Sequence, residues 1–402
     1  MSWESKKLKE CCISIADGDH LPPPKSESGV PFVTIANVDS YNHFDFTNTM
    51  FVPQSYYDKL DGKRKARKGD ILLTVVGSYG IPILITDDTP FVFQRHIAIL
   101  RPNLSVIDSR FLYYTMLSGS FYAQADAYAV GAAQRTISLT SLRQMKIAVP
   151  SLDVQKKIAD SLSSFDNLVD NNIKRIKLLE QMAENLYKEW FVRFRFPGYE
   201  QAEFENGIPK GWQICRMSEF CYVTDGTHDT PTPVDVGVPL ITGKCICSGT
   251  IDFSLAYNIS HTAHEKIKKR SGLTSGDILF SNIGTVGNCC IVDYDREFSV
   301  KNVIIFKPET RNQTEYLYYW MTNAAMQEIF SAQTNGASQQ FVGLTFMRNF
   351  KILVPTEEIL AAFADKISIF TEHMRNLRKC NLNLTKQRDL LLPRLMSGKL
   401  EV

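Results

Sequence analysis

The sequence predicts an α+β fold: two tandem α/β domains separated by two long antiparallel coiled-coil helices, with a pseudo-two-fold relationship that comes from internal duplication. Two observations lead to this prediction. Seven short landmarks recur in the same order in the two halves of the chain. Each half also contains one long stretch whose apolar residues alternate at spacings of three and four, which is typical of a coiled-coil seam.

The landmarks are spread over the whole of each half. In the first half they are Trp3, Asp17-Gly18-x-His20, Gly29-Val30-Pro31, Gly69-Asp70-Ile71-Leu72, Leu112-Tyr113-Tyr114, Gly131-Ala132-x-Gln134 and Val149-Pro150. In the second half they are Trp212, Asp225-Gly226-x-His228, Gly237-Val238-Pro239, Gly276-Asp277-Ile278-Leu279, Leu317-Tyr318-Tyr319, Gly336-Ala337-x-Gln339 and Val354-Pro355. Chance does not produce such a series, so we interpret the chain as a tandem duplication.

The duplication predicts four segments. These are a first module at residues 1–150, a long helix with a connecting loop at 151–205, a second module at 206–355, and a C-terminal long helix at 356–402. Short apolar runs bounded by Gly, Pro and Asp predict that each module contains a twisted, mostly antiparallel sheet. One added helix is expected at 111–124, and its copy at 315–330.

The first long helix is expected to run from Ser151 to Trp190, because Pro150 precedes it, Pro197-Gly198 follows it, and neither Pro nor Gly interrupts it. Its seam contains Leu162, Phe165, Val169, Ile176, Leu179, Ala183, Leu186 and Trp190. The C-terminal seam contains Phe363, Ile367, Phe370, Met374, Leu377, Leu384 and Leu391. Asn172 and Asn381 each interrupt one seam. We therefore expect the helices to pair with each other and the asparagines to set their register, rather than each helix only covering a globular core.

Composition narrows the class of protein. With 402 residues, 44% hydrophobic and 22% charged, the chain resembles an ordinary folded protein. It contains no apolar run of the ~18 residues that a membrane span needs, and its first residues are polar, so a cytoplasmic location without a membrane partner is expected. The nine cysteines show no zinc-ligand spacing and are interpreted as reduced thiols, so no metal site is predicted. A net charge of +2 says little about partners.

No motif predicts an active site in this chain. The repeated Asp-Gly-x-His favours a turn over a metal site, because neither copy has a further ligand at suitable spacing. The glycines at 77–80 and 284–287 lack the Lys-Ser/Thr of a phosphate loop and the third Gly of a dinucleotide fingerprint. The sequence also has no Asn-Pro-Pro-aromatic methylation motif. An arrangement assembled from distant residues stays possible, but the chain is not expected to be an enzyme.

Basic residues cluster at matched places. One run precedes the first Gly-Asp-Ile-Leu and contains Lys63, Arg64, Lys65, Arg67 and Lys68; the other precedes the second copy and contains Lys268, Lys269 and Arg270. Such runs are often only solvated loops. Because they recur in both modules, contact with the phosphates of one DNA duplex is the stronger interpretation.

Other candidate DNA contacts differ between the modules while their surroundings match. Arg95 and His96 align with Lys301 and Asn302, and Gln134 and Arg135 align with Gln339 and Gln340. Arg, Gln and Asn form bidentate bonds with base edges, so each module is expected to read a different short sequence; surface drift after duplication is the alternative. The glycine loops add Ser78, Tyr79, Asn282 and Thr285 to the candidates.

Together these features resemble the specificity (S) subunits of type I restriction–modification systems. The resemblance rests on the doubled module, on Ile208-Pro209-Lys210-Gly211-Trp212, on Gly-Asp-Ile-Leu, and on the Gly-Ala-x-Gln loop leading to Val149 and the stretch up to Ala159. It implies two target-recognition domains that read the two parts of a split, asymmetric DNA sequence. It also implies that the helices dock two methyltransferase (M) subunits, that nuclease-translocase restriction (R) subunits join the complex, and that S-adenosylmethionine, ATP and Mg²⁺ belong to these partners.

One position departs from the family pattern. The first long helix carries the family's glutamine as Gln155, whereas the second carries Leu360. Two roles for this glutamine stay open, a contact to the M subunit or a cap of the preceding turn, so equal docking at both helices is not assured. A non-DNA-reading scaffold with twin protein-binding domains is the alternative function. Binding that is steeply dependent on salt and selective for sequence distinguishes a DNA reader from such a scaffold.

Overall fold

A computed structural model describes residues 3–400 except Leu21, Asn48, Ala133, Ser248, Thr285 and 335–340. The chain divides into two compact units. Unit 1 comprises Met1–Ile173 and Arg378–Val402, and unit 2 comprises Lys174–Leu377. Each unit therefore contains one module and a part of each long helix.

The first module is built from short strands and helices. Its strands are β1 (Glu4–Lys7), β2 (Cys12–Asp17), β3 (Val30–Val33), β4 (Met50–Val52), β5 (Ile71–Thr74), β6 (Pro82–Leu84), β7 (Val92–Phe93), β8 (Ile97–Pro102) and β9 (Lys146–Val149). Its helices are α1 (Leu8–Cys11), α2 (Gln54–Lys59), α3 (Ser109–Leu117), α4 (Gly119–Tyr128) and α5 (Leu139–Gln144), with single 3₁₀ turns at Ile35–Asn37 and Gly62–Arg64.

A four-stranded antiparallel sheet in the order β2-β8-β5-β6 forms the centre of this module. A three-stranded sheet, β4-β3-β7, contains one parallel pair, and β1 pairs with β9. The residues of β5 show why its apolar run is continuous. Because side chains alternate between the faces of a strand, Ile71 and Leu73 pack in the same cluster as Phe111 of α3, while Leu72 packs on the other face with Val33. Both faces of the strand are therefore buried.

The first long helix, α6 (Leu152–Tyr187), follows β9 and continues as a π-helical turn at Lys188–Val192. The second module then repeats the architecture with β10 (Phe204–Glu205), β11 (Ile208–Pro209), β12 (Gln213–Arg216), β13 (Tyr222–Asp225), β14 (Val238–Ile241), β15 (Ile246–Cys247), β16 (Thr250–Ile251), β17 (Tyr257–Ile259), β18 (Ile278–Ser281), β19 (Cys289–Ile291), β20 (Ser299–Val300), β21 (Val303–Lys307) and β22 (Lys351–Val354). Its helices are α7 (Met217–Phe220), α8 (His261–Ser271), α9 (Arg311–Thr322), α10 (Ala324–Thr334) and α11 (Leu344–Asn349), with 3₁₀ turns at Tyr199–Gln201, Gly243–Cys245 and Phe253–Leu255. The second long helix is α12 (Glu357–Met396).

The sheets of the second module match those of the first. Its four-stranded sheet has the order β13-β21-β18-β19, its three-stranded sheet the order β17-β14-β20, and β12 pairs with β22. The parallel pair also recurs, here between β14 and β20. The predicted α+β duplication with mostly antiparallel sheets is therefore confirmed.

The added helix was predicted wrongly as a single element in both modules. In the first module the chain breaks at Ser118, which ends α3 and whose Oγ accepts a hydrogen bond from the Phe121 amide of α4 at 3.3 Å. In the second module Asn323 ends α9, and its Oδ1 accepts from the Met326 amide at 3.2 Å. Both residues are strong N-caps, so each starts a new helix inside an otherwise continuous apolar pattern.

The long helices pair antiparallel within each unit. In unit 1, Ile158 and Leu162 near the start of α6 share a buried cluster with Leu392 and Leu395 near the end of α12. In unit 2, Ala183 near the end of α6 shares a buried cluster with Leu360 and Phe363 near the start of α12. Every predicted seam residue is buried or half-buried. The seam prediction is therefore confirmed.

The two seam asparagines meet inside unit 1. The Asn172 Nδ2 donates to the Asn381 Oδ1 at 2.8 Å, and both residues are buried. This buried hydrogen bond forms only when the helices are in this alignment, because a slip along the seam would separate the two amides. This pairing supports the expected register-setting role.

Gln155 is held inside unit 1 and is 0% exposed. Its Oε1 accepts from the Asp108 amide at 2.8 Å, and its Nε2 donates to the carbonyl oxygens of Val106 at 3.1 Å and Pro150 at 2.9 Å. It therefore fixes the turn before α3 to the start of α6 and leaves no surface for a partner. Of the two roles left open by the sequence, the structure favours the cap. Leu360 is also buried, but it packs in an apolar cluster.

Candidate nucleic-acid interface

One end of the four-stranded sheet gathers several predicted contacts of the first module. There β2 and β5 end and β8 begins, because Asp17 pairs with Ala98 and Thr74 pairs with Ile97. We call the segments that leave this edge, residues 17–20, 75–80, 94–96 and 130–136, the loop end of the first module.

Backbone hydrogen bonds hold these segments together. The Arg95 amide donates to the Asp19 carbonyl oxygen at 3.0 Å, and the Val75 amide donates to that of His96 at 2.9 Å. The Gly77 amide donates to the Arg135 carbonyl oxygen at 3.0 Å. Ser78, Arg95 and Gln134 are exposed here. The predicted contacts at 78–79, 95–96 and 134–135 are thus brought together on one surface.

The second module has the same loop end, formed by residues 225–228, 282–287, 300–302 and the segment around 341. Asp225 pairs with Ile304, and Ser281 pairs with Val303, so β13 and β18 end where β21 begins. The Asn302 amide donates to the Thr227 carbonyl oxygen at 3.1 Å, which repeats the bond made by Arg95. Asn302 therefore matches Arg95, and Lys301 matches Gln94, because Gln94 bridges to Asp19 as Lys301 bridges to Thr227. The correspondence predicted from the sequence is wrong by one residue at this turn. Thr285, Gln339 and Gln340 lie outside the described residues.

The Asp-Gly-x-His motif forms part of the first loop end. A Cβ atom on Gly18 would lie 2.3 Å from the Phe93 carbonyl oxygen, so only glycine fits this close backbone approach. The His20 Nε2 lies 2.5 Å from the Asp17 Oδ2. The Arg64 guanidinium lies 3.7 Å from the same carboxylate, which brings one residue of the basic segment to the loop end.

The second copy builds the same constellation. A Cβ atom on Gly226 would lie 2.3 Å from the Val300 carbonyl oxygen. The His228 Nε2 lies 2.8 Å from the Asp225 Oδ2, and the Arg270 NH2 lies 2.9 Å from the Asp225 Oδ1. Both histidines are at least half exposed. The sequence predicts a turn for this motif, and its recurrence at matched positions is the signal that could have indicated its place at the loop end.

The basic residues of the first run, Lys63 to Lys68, which we call the first basic segment, do not lie together on one surface. Lys63 is exposed beside Arg64, but the Lys65 Nζ turns back to donate to the Asp58 carbonyl oxygen at 3.0 Å. Arg67 and Lys68 are exposed just before β5 begins, and hence at the opposite end of the sheet from the loop end. Proximity in sequence therefore did not predict proximity at the site.

In the second basic segment, Lys268 pairs with Glu297 at 2.6 Å, and this hydrogen bond raises the pKa of Lys268. Lys269 is exposed on the same helix, α8. Of these three residues, only Arg270 contacts the Asp-Gly-x-His motif, through Asp225.

Other predicted residues take different roles. Asn282 is 7% exposed and donates through Nδ2 to the Val342 carbonyl oxygen at 3.2 Å. Its side chain therefore stabilises the loop through an internal hydrogen bond and is buried rather than presented to solvent. Lys301 bonds through Nζ to the Thr230 hydroxyl. The Asn302 Oδ1 lies 2.9 Å from the His228 Nδ1. Burial and the neighbouring Arg95 lower the pKa of His96, which favours a neutral ring that both donates and accepts hydrogen bonds.

Tyr79 and Arg135 are joined through Asp126 in the first module. The Tyr79 hydroxyl donates to the Asp126 Oδ1 at 2.5 Å, and the Arg135 NH1 donates to the same oxygen at 2.6 Å. These bonds raise the pKa of Tyr79 and lower that of Asp126. The Arg135 NH2 donates to the carbonyl oxygens of Asp126 and Ala129. Much of the hydrogen-bonding capacity of this guanidinium is therefore used within the chain.

Neither metal-site nor membrane-span geometry is found where the structure describes the chain. Over the described ranges, three or more His, Cys, Asp or Glu side chains nowhere converge as possible metal ligands. Across the same residues, none of the helices combines the length and the apolar character needed to span a membrane.

The duplicated α+β module presents exposed cationic and amide side chains at its loop end, and such side chains are the usual contacts of proteins to DNA. The chain belongs to the type I restriction modification DNA specificity domain family, whose sequence profile matches residues 2–181 and 209–385. Its role is the recognition of a DNA sequence, and the alternative of a scaffold that does not read DNA is not favoured.

Individual relatives support the same assignment over the full length. The chain is 24% identical to the type I restriction enzyme MjaIX specificity subunit of Methanocaldococcus jannaschii, covering 100% of this chain and 94% of the relative. It is 21% identical to the HindI specificity subunit of Haemophilus influenzae, covering 92% and 94%. The crystal structure of a type I restriction–modification S subunit from M. genitalium matches with a TM-score of 0.51 and 16% identity, covering 98% and 96%, which shows a shared fold.

Proposed function

We propose that this chain is the non-catalytic, sequence-reading subunit of a type I restriction–modification complex, and that each loop end reads one part of a split, asymmetric DNA target. One observation carries the proposal: the two loop ends share a backbone frame but present different side chains. The Arg95 amide donates to the Asp19 carbonyl oxygen and the Asn302 amide donates to the matching Thr227 carbonyl oxygen, so Arg95 in the first module has Asn302 as its counterpart in the second. A common frame with different hydrogen-bonding groups is what two readers of different base sequences require.

The proposed contacts fall into two groups. Lys63, Arg64, Lys269 and Arg270 are proposed to contact phosphates; Lys63, Lys269 and Arg270 are exposed basic residues, and Arg64 and Arg270 lie beside the Asp-Gly-x-His motifs. Ser78, Arg95, His96, Gln134, Lys301 and Asn302 are proposed to face base edges. The remaining candidates predicted from the sequence have internal contacts or positions that support DNA contact less well; they are Tyr79, Arg135 and Asn282, and the predicted phosphate contacts Lys65, Arg67, Lys68 and Lys268. Thr285, Gln339 and Gln340 also stay candidates from the sequence.

The partners of the complex follow from the family. We propose that two M subunits dock on the paired long helices and that R subunits join them. S-adenosylmethionine, ATP and Mg²⁺ are proposed to bind to those subunits and not to this chain. The DNA target supports a cytoplasmic location. Solvent-exposed apolar residues along the helices, among them Leu168 in unit 1 and Leu178 and Met182 in unit 2, are consistent with protein docking.

The proposal is tested by selecting bound duplexes from a randomised DNA pool with the full chain and measuring affinity against salt concentration. The wild type is expected to enrich a split sequence and to bind less tightly as salt rises. Replacing Lys63 and Arg64 by Ala should weaken binding to all sequences and lower the log–log salt slope by about 1 for each lost phosphate contact.

The matched control removes the same charge at the opposite end of the sheet, by replacing Arg67 and Lys68 with Ala. Its salt slope should equal that of the wild type. An unchanged slope for the Lys63 and Arg64 variant would remove these residues from the phosphate-binding surface, and an equal decrease in both double variants would show that phosphate contact is not confined to the loop end. A wild type that enriches no sequence would refute the proposed function.

Modularity gives a second test. A chimera in which residues 1–150 come from another member of the family should acquire a new sequence in one half of the enriched target and keep the other half, because the shared frame makes each module a separate reader. The reciprocal exchange of residues 206–355 is the control and should change only the other half. Pool selection measures both results, and a change in both halves from one exchange would contradict independent reading.

A further inference from the structure

Two loops at the loop end of the first module are tied to each other before any DNA is bound. The first contains residues 77–80 and carries Ser78; the second contains residues 131–135 and carries Gln134. Their backbones are joined because the Gly77 amide donates to the Arg135 carbonyl oxygen and Val76 bridges to Thr136. These bonds fix where the loops begin and end but do not by themselves fix the side chains that they carry.

The Asp126 carboxylate supplies the side-chain connection. It lies on α4, outside both loops, and one of its oxygens accepts from Tyr79 of the first loop and from Arg135 of the second. The Arg135 guanidinium also lies 5.4 Å from the centroid of the Tyr79 ring, a favourable cation–π distance. Tyr79 in turn stacks on Tyr122 of α4, with ring centroids 6.2 Å apart. One carboxylate therefore connects both loops to the helix.

The residues that make this connection are not repeated in the sequence of the second module. By alignment on the matched landmarks, Tyr79 corresponds to Val286, Tyr122 to Gln327 and Asp126 to Ser331. The Gln327 Nε2 donates to the carbonyl oxygens of Gly287 at 3.1 Å and Met321 at 2.8 Å, which ties the loop through the backbone. The carboxylate–phenol–guanidinium arrangement is thus a property of the first module and not of the shared frame.

We propose that Asp126 is a positioning residue that determines the DNA specificity of the first module, by fixing the loops that carry Ser78 and Gln134 in the conformation that contacts bases. This inference rests on the proposed function. Binding groups discriminate best when neighbouring groups hold them in place beforehand, because the cost of ordering them is not paid on binding. The Asp126 and Arg135 side chains are 47% and 42% exposed, and pairs this exposed contribute little to folding. The positioning role is therefore separable from stability.

The experiment compares Asp126→Ala with the wild type in the full chain, by pool selection with randomised duplexes followed by affinity measurements on single-base variants of the selected target. We expect base preference in the half read by the first module to fall roughly tenfold. Preference in the other half should stay unchanged, and Tm should change by less than about 2 °C. Tyr79→Phe, which keeps the bond between Asp126 and Arg135, should cause a smaller loss in the same half. Ser331→Ala is the matched control in the second module and should leave the first half unaffected.

The outcomes separate the two claims. If Asp126→Ala retained full preference in both halves, or lost preference equally in both, Asp126 would not be a positioning residue for the first module. If the wild-type chain selected no sequence at all, the proposed function itself would be overturned. A loss of base preference confined to the first half, with an unchanged Tm, supports the inference, because a general folding defect would lower base preference in both halves.

Discussion

Replacing Phe363 by alanine is expected to lower the free energy of unfolding of unit 2 by about 4 kcal/mol. Phe363 lies on α12 and is 0% exposed. Its ring centroid is 4.8 Å from that of Phe191, 5.8 Å from that of Trp190 and 6.0 Å from that of Tyr319. Truncation removes the contacts of a large ring with both α9 and the π-helical turn. It leaves a cavity that these elements, held from several sides, cannot close.

Denaturant unfolding followed by tryptophan fluorescence measures this effect, because Trp190, Trp212 and Trp320 all belong to unit 2. The control is Ile369→Ala on the same helix, at a side chain that is largely exposed; it should cost less than about 0.5 kcal/mol. A cost below about 1 kcal/mol for Phe363→Ala would show that this aromatic cluster does not hold α12 to the second module.

The stability of unit 2 is also expected to depend on pH through Glu315. This residue is 7% exposed, and its Oε2 is buried without a hydrogen-bond partner. Burial raises the pKa of Glu315 to about 7, against the opposing influence of Arg311 and Arg375, and Asp293 raises it further. The folded state therefore binds a proton that the unfolded chain has released above its ordinary pKa of 4.5. The resulting stabilisation is fully present below pH 4.5 and is lost as the pH rises through about 7.

The size of this loss is about 3 kcal/mol. Glu315→Gln keeps the shape of the side chain and stays neutral, so at pH 8 it should be more stable than the wild type by about 2–3 kcal/mol. Near pH 4.5 the difference should be small. Urea midpoints between pH 5 and pH 8 measure it, with the exposed Glu265→Gln as the control for loss of one carboxylate. A constant difference between the wild type and Glu315→Gln across this range would contradict the prediction.

The duplication and the helix seams were predictable because both are periodic signals in the sequence. Asn172 and Asn381 stood out as polar residues in apolar seams, and the structure places them in contact. The breaks at Ser118 and Asn323 were missed, because a cap inside a continuous apolar run leaves the helical periodicity intact. Capping chemistry outweighed the pattern there.

Individual site residues were less predictable, because long side chains choose their partners in three dimensions. Lys65 and Arg64 are neighbours in one basic run, yet Lys65 folds back on Asp58 while Arg64 reaches Asp17. Asp126 gave no signal in the sequence, since its partners lie 47 and 9 residues away and belong to separate loops. The sequence located the surfaces through their duplicated frame but not the contacts within them.

The division of unit 1 into two distant stretches has a consequence for its synthesis on the ribosome. Unit 2 is continuous, so all its residues emerge before Arg378–Val402, the stretch that completes unit 1. At typical rates, translating the roughly 200 intervening residues takes about 10 to 40 seconds. During that time Ile158 and Leu162 of α6 lack the Leu392 and Leu395 that later cover them. Unit 1 is therefore begun first and completed last. Unit 2 can fold before the last part of α12, which belongs to unit 1, has been synthesised.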